Sequence, residues 1–474
     1  MAIIIPRDLG NHFNPDSPVE RAEFEGFASD VPNTKGMITA VKNGDVNPAT
    51  GAVVNMTAQS QRAAKLFRPV FLAKLNQLPN LSGVFFPTPD EMSEAFMANP
   101  SRSGRTQVEI FRPGDAGANQ RIDVWSFKDN NDSDTESWPA PTIRVREGQL
   151  VHSVLSNSHG AHTIHHHGIE PTAVNDGVGH LTMEIGGHFD GEDGGTGPGG
   201  EYIYQWRAAE AGTYFYHCHR NTTLHFELGM YGMLIIDPPA PVGAGIQAPY
   251  ADGGPGYTRV ENSATRYDKE TFWVVDDIDI SWRNLDKSFG IQTTNGQPPA
   301  LFTGGFQNIP SGGLNDFHPD FFVVTGVTVG TNGVLEVPSA AQIDRNEALP
   351  TLYNFIRPSI LAGQKLLVRA LNASYCTTVW RFPVSVDGTV TAVDARTLGH
   401  SANGFGSYSE PFRLSDLPSD QFGFRQFELS TAQRWDILID TAGVGTHEVL
   451  VEFRHWLNYN EVLHTARLPI IVTG

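Results

Sequence analysis

Cysteine is nearly absent from this chain of 474 residues, which carries only Cys218 and Cys376. A framework of several disulfides is thereby excluded, leaving room for one bridge at most. Long apolar runs are missing too. No stretch approaches the roughly 18 residues that a membrane-spanning helix requires. The opening MAIIIPRDLG lacks the basic start and extended apolar segment of a secretory signal. Positive charge is scarce: 33 Lys and Arg stand against 52 Asp and Glu, a formal charge of −19. That balance argues against nucleic acid and against an anionic membrane surface as partners. Sustained helical periodicity is also rare, whereas 48 Gly, 31 Pro and 28 Phe suit short strands and tight turns. An all-β fold is expected.

The length exceeds what one hydrophobic core usually serves, so more than one domain is expected. Residues 1–104 read as a mixed N-terminal extension, in which QSQRAAKLFRPVFLAKLNQL has helical spacing amid Asn, Pro and Ser. Residues 105–240 carry short strands, RIDVWSF, TIRVREGQLVHSVLSN, YIYQW and GTYFYHC, and read as a β-sandwich. DPPAPVGAGIQAPYADGGPGYT, residues 237–258, has the Pro and Gly density of a linker. A second strand-rich region, 259–474, includes ETFWVVDDIDISW, GQKLLVRALNAS and HEVLVEFRHWL. TIRVREGQLV in the first sandwich and SILAGQKLLV in the second share a pattern, which predicts two copies of one fold.

Histidine separates the two copies. Eleven of the seventeen lie between His152 and His225. In HTIHHHG, residues two apart on a strand share a face, so His165 and His167 point together and His166 points away. In YHCHRNTTLHFELGM, His217 and His219 form a second such pair with Cys218 facing the other way. Two imidazole pairs on neighbouring strands can surround one or two metal ions. Cys218 then belongs to a separate site, completed by His162 upstream and by His225 and Met230 downstream. Two imidazoles, a thiolate and a distant thioether form the ligand set of a blue copper centre. The plainer readings are a Cys and Met in ordinary strand packing, and a histidine cluster that is metal-free or takes up adventitious zinc. His152, His159, His166, His180 and His188 read as exposed or hydrogen-bonded side chains rather than ligands.

These motifs resemble those of the multicopper oxidase and copper nitrite reductase superfamily, which is built from cupredoxin domains. HTIHHHG is similar to its first histidine motif and YHCHRNTTLHFELGMYGMLIIDP to its His-Cys-His copper loop. GQKLLVRALNAS and FELSTAQRWDILID resemble strands of a non-terminal cupredoxin domain. The resemblance covers roughly residues 119–474 and implies two cupredoxin-like Greek-key sandwiches. It implies His162, Cys218, His225 and Met230 as type 1 copper ligands. It places His165, His167, His217 and His219 at a second copper centre of type 2 or type 3-like character. Three departures stand out. Five residues separate His219 from His225 where the oxidases usually have three. No His-x-His pair follows residue 225, so the partner half of a trinuclear cluster is missing. The nitrite reductases place an Asp between the two motif histidines and a single His before the Cys, unlike this chain.

The resemblance implies a copper-dependent oxidoreductase of multicopper oxidase type. A small reductant, whether phenolic, a metal ion or an electron-carrier protein, would deliver electrons to the type 1 copper. Oxygen or nitrite would accept them at the second centre. It further implies a homo-oligomer, with a trimer as the family's common form, in a periplasmic or extracellular setting. The alternatives are an electron-transfer protein with only the type 1 site active, and a copper nitrite reductase. Asp176 and Glu227 are candidates for proton delivery. The acidic, Gly-rich segment 186–202 does not follow calcium-loop spacing and is read as a surface loop. Cys376 is read as a buried apolar residue.

Overall fold

The computed structural model describes residues 97–111, 119–129, 137–147, 150–156, 162–169, 171, 175–178, 201–208, 210–219, 222–238, 255–260, 263–279, 317–399 and 410–474. The helical stretch expected in the N-terminal extension, most of the 237–258 linker and most of the 186–202 loop lie outside them. So do His159, His180, His188 and His400.

The first region builds, in chain order, β1 (Met97–Phe111), β2 (Asn119–Asp129), β3 (Ala140–Arg146), β4 (Leu150–Ser156), β5 (His165–His167), β6 (Glu201–Arg207), β7 (Gly212–His217), the helix α1 (Thr222–Glu227) and β8 (Tyr231–Asp237). Strand β1 crosses the boundary expected between residues 104 and 105. Two four-stranded sheets form, in the orders β2-β1-β4-β6 and β3-β8-β7-β5. Alternation decides which side chains fill the space between them. Val151, Ser153 and Leu155 of β4 and Tyr204 and Trp206 of β6 are buried at every second position. Phe127 of β2 meets Tyr216 of β7 at 5.4 Å between ring centroids, closing the sandwich from the opposite sheet.

A hairpin of β9 (Gly256–Val260) and β10 (Ser263–Tyr267) precedes the second region. That region contains β11 (Lys269–Ile278), β12 (Phe321–Val324), β13 (Val327–Thr328), α2 (Ala340–Arg345), α3 (Leu349–Phe355), β14 (Ser359–Leu361), β15 (Leu366–Asn372), β16 (Thr377–Pro383), β17 (Val386–Val393), β18 (Arg396–Thr397), β19 (Phe412–Arg413), β20 (Phe424–Leu429), β21 (Arg434–Ala442), β22 (Gly445–Arg454) and β23 (Val462–Thr473). Its sheets run β13-β12-β11-β15-β21-β17-β18 and β14-β23-β22-β16-β20. Among the described residues the all-β expectation holds, with short helices only.

The repeat expected from TIRVREGQLV and SILAGQKLLV is visible in strand pairing. The β3 segment pairs in parallel with β8, the last strand of its sandwich, and β14 does the same with β23. In both regions the strand that follows pairs in parallel with the opening long strand, β4 with β1 and β15 with β11. The β5-β7-β8 ladder of the first region has its counterpart in β16-β22-β23.

Strands β7 and β8 are buried on both faces, which explains why GTYFYH and YGMLII show little polar alternation. Their outer face, with Phe215, Tyr231, Met233 and Ile235, packs on Phe272, Val274 and Ile278 of β11, Phe321 and Val323 of β12, and Leu371 of β15. An ionic web lies beside this apolar interface. Glu270 is fully buried between Arg144 of the first region and Arg369 of the second, and Arg144 also grips Asp237 in bidentate fashion at 2.7 and 2.8 Å. Arg369 continues to Asp436 and to Thr213, whose hydroxyl donates to Asp436. Burial alone would raise the Glu270 carboxyl, but Arg144 and Arg369 outweigh it and hold it below the ordinary value.

Candidate metal centres

Strand register sets the histidines. In the antiparallel β5-β7 pair, His165 stands opposite His217, His166 opposite Tyr216 and His167 opposite Phe215. His165, His167 and His217 therefore share a face, as the spacing predicts. His166 points the other way, fully buried under Tyr204 and Trp206, with Nε2 2.9 Å from Ser153 Oγ. Strand β7 ends at His217, and the chain turns there. The backbone N–H of His219 donates to Thr163 Oγ1 at 3.0 Å, which fixes the turn against the segment preceding β5.

On one side of that turn, Cys218 Sγ lies 3.5 Å from His162 Nδ1 and 3.1 Å from His225 Nδ1. All three ligand atoms fall within 4.8 Å of one another, with Cys218 and His162 buried and His225 half-buried. Met230 is buried, and backbone hydrogen bonds tie it to both neighbours: its N–H donates to His225 O, and Cys218 N–H donates to Met230 O, each at 3.0 Å. The longer spacing between His219 and His225 is absorbed by α1. Winding Thr222–Glu227 into a helix shortens the path and returns His225, on its last turn, to Cys218. Trp125 of β2 packs against both imidazoles, 5.9 Å from His162 and 5.3 Å from His225. The backbone N–H of Trp125 donates to Leu228 O at 2.6 Å, pinning the end of the loop.

On the other side, His165, His167 and His217 bring their ligand nitrogens within 4.8 Å of one another. His165 Nδ1 donates to Asp176 O at 2.6 Å and His217 Nδ1 donates to Cys218 O at 3.0 Å. These bonds require the Nδ1–H tautomer and leave Nε2 of each ring with its lone pair. His217 Nε2 faces His167 Nδ1 at 3.4 Å. His219 flanks the group without joining its tightest cluster. Its ring centroid is 5.1 Å from His165 and 5.6 Å from His217, and its Nδ1 is 3.0 Å from Thr222 Oγ1.

Burial, followed by the charges of His165 and His167, holds His217 well below the usual imidazole value. Burial, then the cation of Arg434, then His165 and His219, push His167 down to about 3. His219 is lowered by burial and by His165. His167 and His217 are thus neutral at ordinary pH, the form in which imidazole binds a metal ion. One aromatic ring floors it: Phe215 stacks on His167 at 4.4 Å and on His217 at 5.3 Å.

Asp176 sits beside this centre, its Oδ1 3.4 Å from His165 Nδ1. Gly177, which follows it, has φ of +78°, and a Cβ there would fall 1.8 Å from Ile164 O, so the backbone that anchors His165 requires glycine. Glu227 is buried on the interface side of α1, where its Oε1 accepts the Asp279 N–H at 2.7 Å. Neither cysteine forms a disulfide, and Cys376 is buried in the core of the second region.

The repeat explains where the second region stands. The β16-β22 pair sets Thr377 opposite Arg454 and Val379 opposite Glu452, the register at which the first region has His165 opposite His217 and His167 opposite Phe215. Position 218 corresponds to His455, which accepts the Leu457 and Asn458 N–H groups at 3.1 and 2.9 Å. Neither ligand cluster is duplicated among the described residues. Sequence reasoning passed over Trp125, Phe215 and Arg434. Alternation with His217 could have flagged Phe215, whereas Arg434 reaches the site through tertiary packing that no local pattern announces.

A β-sandwich thus carries a thiol–imidazole group and a three-imidazole group on the two sides of one strand end, each with the donor atoms to hold a metal ion. Residues 134–241 match the family model described as Multicopper oxidase. Among curated proteins, the chain is similar to Multicopper oxidase CTB12 of Cercospora beticola, with 33% identity over 106 residues, 22% of this chain and 15% of that protein. It is also similar to Copper resistance protein A of Pseudomonas syringae pv. tomato, with 36% identity over 104 residues, 22% of this chain and 15% of that protein. The aligned part spans only about 15% of these relatives' length. A blue copper oxidase structure from Nitrosomonas europaea has 18% identity and a TM-score of 0.47, covering 80% of this chain and 85% of that one. The similarity to multicopper oxidases is thus carried by residues 134–241, the segment that holds both candidate centres.

Proposed function

We propose that the protein is a copper-dependent oxidoreductase of multicopper oxidase type. His162, Cys218, His225 and Met230 hold a type 1 copper, and His165, His167 and His217, with His219 alongside, hold a second copper. The observation that carries this reading is the convergence of the Cys218 thiol on two imidazoles at 3.1 and 3.5 Å, back to back with a cluster of three imidazoles. The donor sets fit: two imidazoles, one thiolate and a thioether form the blue-copper set, and three imidazoles suit a second copper. Copper supplies one-electron redox chemistry at each group. The chain supplies the connection, since Cys218 and His217 are adjacent residues and both are buried. Asp176, beside His165, is placed to hand protons to a reduced acceptor.

Electrons come from a small reductant, phenolic, metallic or a carrier protein, and oxygen is the acceptor. Residues 105–240 form the copper domain and 259–474 a second cupredoxin-like domain. The chain works outside the cytoplasm as a homo-oligomer. Copper content and electron paramagnetic resonance of the copper-loaded chain, combined with oxygen uptake on a phenolic or metal-ion donor, test the reading. About one copper per chain with no turnover would refute it.

Among the described residues the second copy repeats neither ligand group, which favours one competing reading, an electron carrier with only the Cys218 site active. Replacing His165 and His167 together separates the two. The double variant of an enzyme loses turnover while keeping its colour, whereas a carrier's redox cycling is untouched.

A further inference from the structure

Among its described residues the second region has no copy of either ligand cluster, yet it delivers a buried cation to the three-imidazole centre. Arg434 opens β21 with its side chain 4% exposed. Nε donates to Thr213 O on β7 at 3.2 Å and Nη1 donates to Ala432 O at 2.6 Å. The guanidinium carbon stands 5.7 Å from the centroid of Phe215, the ring that stacks on both His167 and His217. Nη2 presses on the end of β5. A Cβ at Gly168 would lie 2.8 Å from that nitrogen, and Gly168 has φ of +88°, so the last residue of HTIHHHG must be glycine for the arginine to reach this position.

Resting on the reading of this centre as a copper site, we propose that Arg434 is the positioning residue through which the second domain sets the centre's affinity for small anions. Three neutral imidazoles leave the charge of a divalent ion uncompensated, and a guanidinium behind them adds to the positive potential where a small monoanion would bind. The neighbouring carboxylates offset this only in part. Asp394, 3.5 Å from Nη1, is 40% exposed and screened by water. Asp436 is committed to Arg369 and Thr213. Glu210 faces Arg396 and the Thr397 N–H instead. Two unit charges about 10 Å apart at an effective dielectric of about 20 alter a binding constant by on the order of tenfold.

Azide titration of the copper-loaded full chain tests the proposal, read by electron paramagnetic resonance of the second copper with the blue absorption as internal control. Arg434→Met should weaken azide binding about tenfold, and Arg434→Lys should restore most of it. Asp394→Asn should tighten it. Asparagine tolerates the positive φ of 49° at that position and keeps an oxygen to accept the Arg434 N–H, so only the charge is lost. The blue absorption should be unchanged in all three. An azide affinity within twofold of wild type in an Arg434→Met that keeps both copper signals, or an unchanged affinity in Asp394→Asn together with loss of both copper signals in Arg434→Met, would overturn the proposal in favour of a packing role. Wild type lacking any second copper signal would instead overturn the reading of the centre itself.

Discussion

Glu270→Gln should loosen the junction between the two regions, and the ionic web sets the size of the effect. The carboxylate is fully buried between two arginines and also accepts the Tyr267 hydroxyl at 3.0 Å. Removing one partner of a buried ion pair typically costs about 3–5 kcal/mol, because the remaining charge stays buried. Here each arginine keeps a second carboxylate, Asp237 for Arg144 and Asp436 for Arg369, so the lower end, about 3 kcal/mol, is expected. For a domain of about 200 residues that corresponds to a fall in Tm of roughly 6–12 °C. The matched control is Glu448→Gln, which breaks the exposed Arg467–Glu448 pair, 48% exposed on both sides, and should leave Tm unchanged. The sign with pH follows from the lowered Glu270 value. The contribution is full above the ordinary carboxyl value of 4.5 and is lost as pH falls through the lower folded value, so wild type and variant should converge in acid. Thermal scans at pH 7 and in acid read both effects. A neutral-pH difference below about 2 °C would refute the argument that buried charge holds the junction.

Gly177→Ala should displace the carbonyl that anchors His165, so copper at the second centre is lost while the blue absorption survives; copper per chain and electron paramagnetic resonance read both. His217→Ala should abolish second-centre copper, whereas His219→Ala should lower its affinity less, because His219 lies outside the tight cluster; metal titrations compare them. Metal-free protein should lose stability as pH falls below the ordinary imidazole value of 6.5, since the unfolded chain takes up protons that His167, pushed down to about 3, and His217 refuse. Each contributes about 1.4 kcal/mol per pH unit, measurable as denaturant midpoints at pH 7 and pH 5. A slope unchanged in His167→Asn would contradict this.

Local chemistry made the ligand groups legible. Period-two alternation placed His165 and His167 together and His166 apart, because a short antiparallel strand leaves no other arrangement. The pairing of Cys218 with His162 and His225 also followed from ligand type and strand ends. The turn after His217 was less transparent: reading through it as continuous strand made His219 an equal partner of His217, but β7 stops and His219 swings towards Thr222. The extra residues of the copper loop read as an insertion of unknown shape, and a six-residue helix held by its surroundings gave no periodicity long enough to detect. The junction was opaque for a different reason. Arg144 and Glu270 are 126 residues apart and Thr213 and Asp436 are 223 apart, so their meeting depends on how two sandwiches dock. The same holds for Arg434, whose sequence neighbourhood contains no histidine at all.

The central claim is that the Cys218 sulfur shares a copper ion with His162 and His225. Reconstituting wild type and Cys218→Ser with cupric salt and recording absorption on the same samples tests it most directly. Wild type should show an intense thiolate-to-copper band near about 600 nm, absent from the serine variant. Colourless wild type with a thiol still free to react would contradict the claim.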